Sequence, residues 1–275
     1  MKPAEFQQLV WDFYDSNGRH DLPWRRTEDP YAIYISEMML QQTQAPRVVP
    51  KYNAWLKKFP DFESLARAPK NEVLLGWQGL GYNRRALYVK GACEMVAGKY
   101  NGQLPDTEED LLSLPGVGPY TAGALQAFVY QQPVVFVETN IRTVFIHHFL
   151  PNAENVSDDD IKELVAETLP NKNIKEWYWA LMDYGAHLKS TVGNINNQSQ
   201  SYQKQSKFVG SNRQLRAELT RFVLKHEPVK EADIQQEFSE LIAENERMQS
   251  VERNLKQLEK EGFLTHSNGQ YKTSD

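Results

Sequence analysis

The 275-residue chain holds one cysteine, Cys93. A single thiol excludes an intramolecular disulfide, a zinc ribbon and any cysteine-ligated iron–sulfur cluster, and leaves Cys93 most simply as a small buried residue. Long apolar runs are also lacking. Stretches such as Pro133-Val134-Val135-Phe136-Val137 stop far short of the roughly 18 residues of a membrane span. Met1-Lys2-Pro3-Ala4-Glu5-Phe6 reaches a charge before an apolar stretch forms, so no secretory signal is read. The expected location is the cytoplasm, at the nucleoid in a bacterium. Acidic residues are missing from Tyr184 to Ala217, where Lys189, Lys204, Lys207, Arg213 and Arg216 fall, whereas Asp158, Asp159 and Asp160 cluster elsewhere. A net charge of −5 argues against indiscriminate nucleic-acid binding. A local basic strip is compatible with an acidic whole.

What is present is globular: 40% apolar and 24% charged residues, at a length that favours two domains. Sustained period-2 alternation is absent over the first 190 residues, and amphipathic helical patterns dominate. They cover Phe6–Tyr14, Ala32–Arg47, Val48–Phe59, Asn71–Trp77, Asn83–Lys99, Glu108–Leu114, Thr121–Tyr130, Asn140–His148, Asp158–Thr168 and Glu176–Leu188. Residues 1–190 are therefore expected to form one all-α domain. Residues 191–210, rich in Asn, Gln, Ser and Lys, read as a polar loop or linker. Residues 211–275 show helical patterns at Asn212–Lys225, Ala232–Ile242 and Val251–Glu261, then a hairpin around Ser267-Asn268-Gly269, which together indicate a winged-helix-like domain.

The most specific segment is Leu114-Pro115-Gly116-Val117-Gly118-Pro119-Tyr120-Thr121-Ala122, between two helical patterns. Two glycines flanking a valine permit a tight turn whose backbone N–H groups, with the next helix N-terminus, can receive a phosphate. An ordinary Pro-Gly turn is the plainer alternative. The segment resembles the hairpin of the helix-hairpin-helix family, followed by an acidic residue, Glu138. Leu22-Pro23-Trp24-Arg25, Asp29-Pro30-Tyr31, Ser36 to Gln44 (Ser-Glu-Met-Met-Leu-Gln-Gln-Thr-Gln) and Trp77-Gln78-Gly79-Leu80-Gly81-Tyr82 together resemble the A/G-specific adenine DNA glycosylases over roughly residues 6 to 190.

That resemblance implies a two-layer helical glycosylase fold and a partner, double-stranded DNA with a mismatched or damaged base, bound by a monomer. Breaking a purine N-glycosidic bond needs a proton on the leaving base and negative charge near the sugar cation, hence two carboxylates. Glu37, among apolar and amide neighbours, is the expected general acid, and Glu138 the charge that stabilises the cation and activates water. Tyr120 stands where lyase relatives carry a Schiff-base lysine, which implies a monofunctional enzyme. Asn140 would position Glu138. Gln42 and Tyr82 would wedge the base stack, Trp24 and Arg26 would begin the base pocket, and Gly116, Val117 and Gly118 would grip a phosphate.

The chain departs from the family pattern in four respects. Glu138 replaces an aspartate, which displaces the carboxylate by a methylene. Lys189, Asn196, Ser199 and Gln205 stand at the spacings of the four cluster cysteines, so neither iron–sulfur cluster nor other cofactor or metal is expected; Lys189 would instead meet phosphates. The winged-helix-like unit stands in place of an 8-oxoguanine-recognition domain. Trp179 lies near a polar position of the base pocket. The favoured substrate is adenine opposite 8-oxoguanine or guanine. Two alternatives stay open: excision of thymine or uracil opposite guanine, or of hypoxanthine, and a catalytically silent mismatch-binding or regulatory protein.

Overall fold

The computed structural model describes residues 1–204, 207–238 and 245–274. Eleven helices build the first domain: α1 (Pro3–Asn17), α2 (Pro30–Leu40), α3 (Ala45–Lys58), α4 (Phe62–Arg67), α5 (Lys70–Trp77), α6 (Arg84–Lys99), α7 (Glu108–Ser113), α8 (Pro119–Tyr130), α9 (Thr139–Phe149), α10 (Asp158–Thr168) and α11 (Ile174–Thr191). Their starts are chemically marked. Asp29, Asp61, Thr107, Glu138 and Ser157 each accept a backbone N–H of the following turn, and Pro30, Pro46 and Pro119 occupy first-turn positions. One layer centres on α2 to α8, with α4 against α6 and α2 against α8; the other joins α1, α9, α10 and α11. The core includes Phe6, Tyr34, Met38, Trp77, Phe128, Phe145 and Trp177, all essentially inaccessible. Cys93 is buried in α6.

The pattern read as one helix over Ala32–Arg47 is two. The chain breaks between Leu40 and Ala45, where Gln42 takes a left-handed φ of 55°. Periodicity missed this because the apolar spacing continues across the break while the backbone turns. The short α4 also escaped the pattern, being under two turns long.

In the C-terminal domain, α12 (Asn212–His226), strand β1 (Val229–Lys230), α13 (Glu231–Glu237) and α14 (Asn245–Lys260) precede β2 (Leu264–Ser267) and β3 (Gln270–Thr273). The strands form one antiparallel sheet in the order β1-β3-β2, with Val229 opposite Tyr271 and His266 opposite Tyr271 across the other edge. Among the described residues, three helices and a terminal hairpin follow the order expected of a winged helix; the third strand, two residues long, was too short to detect. The end of the pattern Ala232–Ile242 lies outside the described residues. The polar segment 191–210 is partly structured. Ile195–Gln198 forms a 3₁₀ turn against α9, and Val156 pairs with Ser199 in a β-bridge.

Candidate active site

Glu37 lies in the middle of α2 and is only 5% exposed. The Tyr120 hydroxyl, from the first turn of α8, donates to Glu37 Oε2 at 3.1 Å. Burial pushes the Glu37 carboxyl up to about 7, opposed by that hydrogen bond, and the nearby Glu138 charge raises it further while Arg25 lowers it. The Glu138 charge also acts on Tyr120. Glu37 and Tyr120 are thus in direct contact, and the Glu138 charge is felt at both.

Glu138 is the N-cap of α9. Its Oε1 accepts from the amides of Asn140 (2.8 Å) and Ile141 (3.0 Å), and its Oε2 accepts from Asn140 Nδ2 at 3.3 Å. Burial raises the Glu138 carboxyl above the ordinary range, and these three donors pull it back. Two glycines fix its place. A Cβ at Gly185 of α11 would stand 2.2 Å from the Asn140 carbonyl oxygen, and one at Gly123 of α8 would stand 2.9 Å from Phe136 Cβ. Only side chains without a Cβ let α11 and α8 close on the segment that carries Glu138. Phe136 completes the packing, edge-on to Tyr120 and stacked on Tyr178.

The hairpin between α7 and α8 has the expected form. Gly116 takes φ 78°, and a Cβ there would meet Tyr88 at 2.7 Å. Val117 differs from expectation: its amide donates to the Leu114 carbonyl at 3.1 Å, so it contributes a buried side chain rather than a phosphate contact. Gly118 begins α8 as its N-cap.

The pocket residues divide. Trp24 is buried edge-on against Tyr52 in the core. Arg26 is exposed, with Nε donating to the His20 carbonyl, so it does not join the carboxylates. Its neighbour Arg25 turns inward instead, an outcome hidden from the sequence because adjacent arginines look alike. Arg25 forks onto Asp183 (2.7 and 2.9 Å) and stacks on Trp179 with its guanidinium carbon 5.2 Å from the ring centre. Lys175 approaches the same indole at 5.4 Å. Trp179 is therefore a buried platform between two cations. The polar group on that helix face is Asp183, one turn on. Burial works against its charge, but hydrogen bonds from Arg25 and Arg19 hold its carboxyl below the usual range.

Gln42 and Tyr82, the expected wedges, both have left-handed backbones, with φ 55° and 47°. Buried Arg85, which the sequence reading missed, holds both loops. Its Nη1 donates to the carbonyls of Met38, Met39 and Gln41, and its Nη2 to Thr43 Oγ1 and the carbonyls of Leu80 and Gly81. Burial lowers its guanidinium to about 10, still charged at neutrality. Only a planar fork of donors can satisfy oxygens on two loops at once.

The iron–sulfur cluster of the resembling family does not fit here. Lys189 is exposed at the end of α11. Asn196 is buried, its Nδ2 donating to the Thr139 carbonyl (3.1 Å) and Thr143 Oγ1 (2.6 Å). Ser199 sits in the β-bridge with Val156, and Gln205 lies outside the described residues. A directly hydrogen-bonded segment occupies this part of the fold.

A tight turn joining two helices, a carboxylate pair beside it and two helical layers define a protein of the helix-hairpin-helix class. A model of the HhH-GPD superfamily of base excision DNA repair proteins matches residues 35–171. The chain is 34% identical over 190 residues to an adenine DNA glycosylase of Buchnera aphidicola subsp. Baizongia pistaciae, a match covering 68% of this chain and 53% of that protein. It is 30% identical over 188 residues to a thymine/uracil-DNA glycosylase of Methanothermobacter thermautotrophicus, covering 67% and 85% respectively. Among solved structures, a thermostable thymine-DNA glycosylase superposes with a TM-score of 0.59 at 28% identity, covering 67% of this chain and 86% of that one. The chain belongs to the HhH-GPD superfamily of base excision DNA repair proteins. Within it, the adenine glycosylase match bears out the resemblance drawn from the motifs, although the chain spans about half the length of that relative.

Proposed function

We propose that this protein is a monofunctional DNA glycosylase that hydrolyses the N-glycosidic bond of a flipped, mispaired adenine in double-stranded DNA. The observation that carries this reading is the unequal carboxylate pair: Glu37 with one donor and a carboxyl raised to about 7, and Glu138 with three donors. A pair whose environments separate its members supplies an acid and a base at one pH.

Glu37, half protonated near neutrality, gives its proton to N7 of the extruded adenine as the C1′–N9 bond breaks and the bonding electrons leave with the base. Glu138 faces the developing sugar cation, then takes a proton from the water that adds to C1′. Asn140 holds Glu138, and Tyr120 steadies the Glu37 carboxyl. With a phenol at position 120, no imine forms and the abasic product is left uncut. Gly116 and Gly118 at the hairpin, with Lys189 on α11, are the DNA-backbone contacts of this reading. Gln42 and Tyr82 wedge the stack, and Arg25, Trp179 and Asp183 floor the base pocket.

A second reading, excision of thymine or uracil opposite guanine, draws on the thymine/uracil-DNA glycosylase that this chain covers to 85% of its length. Single-turnover assays on duplexes carrying adenine opposite 8-oxoguanine or guanine, thymine or uracil opposite guanine, and hypoxanthine opposite thymine separate the two. Adenine release lost in Glu37→Gln and Glu138→Ala is the expected result. Release of a pyrimidine alone would replace the substrate, and tight binding without any release would leave a mismatch-binding protein.

A further inference from the structure

The C-terminal domain has no part in the chemistry above, yet it reaches the expected wedge. Arg213, in the first turn of α12, donates from Nη1 to the Tyr82 hydroxyl at 2.6 Å, and its guanidinium carbon lies 5.6 Å from the Tyr82 ring centre. Arg85 approaches the same ring at 5.8 Å from inside the first domain. Two guanidinium groups, one buried and one nearer the surface, thus approach the phenol, although Tyr82 is 40% exposed and has a left-handed backbone. The seam that brings Arg213 there is pinned at a second place. Lys70 Nζ donates to Ser274 Oγ at 3.2 Å, and Asn71 Nδ2 donates to Glu227 Oε1 at 3.2 Å. The Ser211 side chain caps α12 and fixes where Arg213 starts.

We propose that Arg213 is a positioning residue for Tyr82, so that the C-terminal domain forms part of the edge that opens the duplex and extrudes a base. This rests on the DNA glycosylase reading. A tyrosine that enters a base stack must hold one orientation of its two side-chain torsions. An exposed ring ordered only on contact with DNA loses that freedom at the moment of binding, whereas one already clamped does not. Arg213 supplies both a hydrogen bond to the hydroxyl and a cation near the ring, so its action runs through the tyrosine side chain.

The test is a double-mutant cycle of Arg213→Ala and Tyr82→Phe in the full chain. It is read by the fluorescence rise of 2-aminopurine placed beside adenine opposite 8-oxoguanine in a short duplex, at saturating protein. Arg213→Ala should lower the extrusion rate about fivefold, Arg213→Lys should recover part of it, and Arg213→Ala should cost less than that once the hydroxyl is gone in Tyr82→Phe. Thermal melting of Arg213→Ala should match the unaltered chain, which separates positioning from folding. An unchanged extrusion rate in Arg213→Ala, or effects that simply multiply in the double variant, overturns the proposal while adenine release by the unaltered protein leaves the enzyme reading intact. If the unaltered protein extrudes but releases no base, the glycosylase reading fails, and the cycle still decides the role of Arg213. If it does not extrude at all, both fail.

Discussion

Glu37 and Glu138 have the same side chain, but they stand on different kinds of backbone. Glu37 is inside α2, where the helix consumes the neighbouring amides, and its one hydrogen-bond donor is the Tyr120 hydroxyl. Glu138 caps α9, where the helix leaves amides unpaired and its dipole favours negative charge. Two amides and the Asn140 side chain accordingly converge on it. Burial raises both carboxyls, and three donors oppose the rise at Glu138 where one opposes it at Glu37. On the proposed reading, acid and base roles follow from the number of donors a fold aims at each carboxylate, not from residue type.

Removing either member tests this most severely. Glu37→Gln keeps shape and burial but cannot deliver a proton, and single-turnover excision should fall on the order of a thousandfold. Glu138→Ala should abolish excision similarly and also remove a helix cap, lowering stability by about 1–2 kcal/mol in urea unfolding. If Glu37→Gln keeps a tenth of the rate, Glu37 is not the acid. Next in size is Gly185→Ala, which places a methyl against the Asn140 carbonyl, backbone against backbone. α9 must then move, with about 2–4 kcal/mol lost and excision weakened through a displaced Glu138. A stable, fully active Gly185→Ala would show that the close approach does not position the site.

Much of this was legible in the chain. Helical periodicity located ten of the elements of the first domain, and the motifs named Glu37 and Tyr120, which are hydrogen-bonded, and Glu138 and Asn140, which are hydrogen-bonded. The illegible part has one physical character: it depends on partners far apart in sequence. Arg85 binds carbonyls 44 to 47 positions away, Arg25 reaches Asp183 158 positions on, and the need for Gly185 appears only once α11 crosses α9. The break at Gln42 belongs with these, because Arg85 takes the carbonyls that would continue α2. Asn196 looked like a vacated ligand position, and only the fold shows its amide tied to Thr139 and Thr143.

The comparison also has a pH signature. Folding lifts the Glu37 carboxyl to about 7 from the ordinary 4.5, so between those values the native state holds a proton that the unfolded chain releases. Stability must then fall as pH rises through that window and stay lower above it. Glu37→Gln removes the loss, and above neutrality it should be more stable than the unaltered protein by about 1–3 kcal/mol. Melting near about pH 8 against about pH 5 reads this directly. Excision by the unaltered protein should decline as pH rises past the same carboxyl. A Glu37→Gln chain with no stability advantage at the higher pH would mean that Glu37 is ionised in the fold.

The smallest effect is the sharpest test of Glu138. Glu138→Asp retains the charge and a residue that caps helices well, so folding should change little. The shorter side chain cannot keep both α9 amides and still reach the Oε2 position that Asn140 Nδ2 defines. A displacement near one ångström in a reacting geometry slows the rate, here by about tenfold, within the span known for such misplacement. The effect should fall on the excision rate at saturating protein rather than on duplex affinity, since Glu138 is assigned to the sugar cation and not to the DNA backbone. If Glu138→Asp is instead faster than the unaltered protein, the site has not re-formed around the longer side chain. Capping α9 is then the larger part of what Glu138 does.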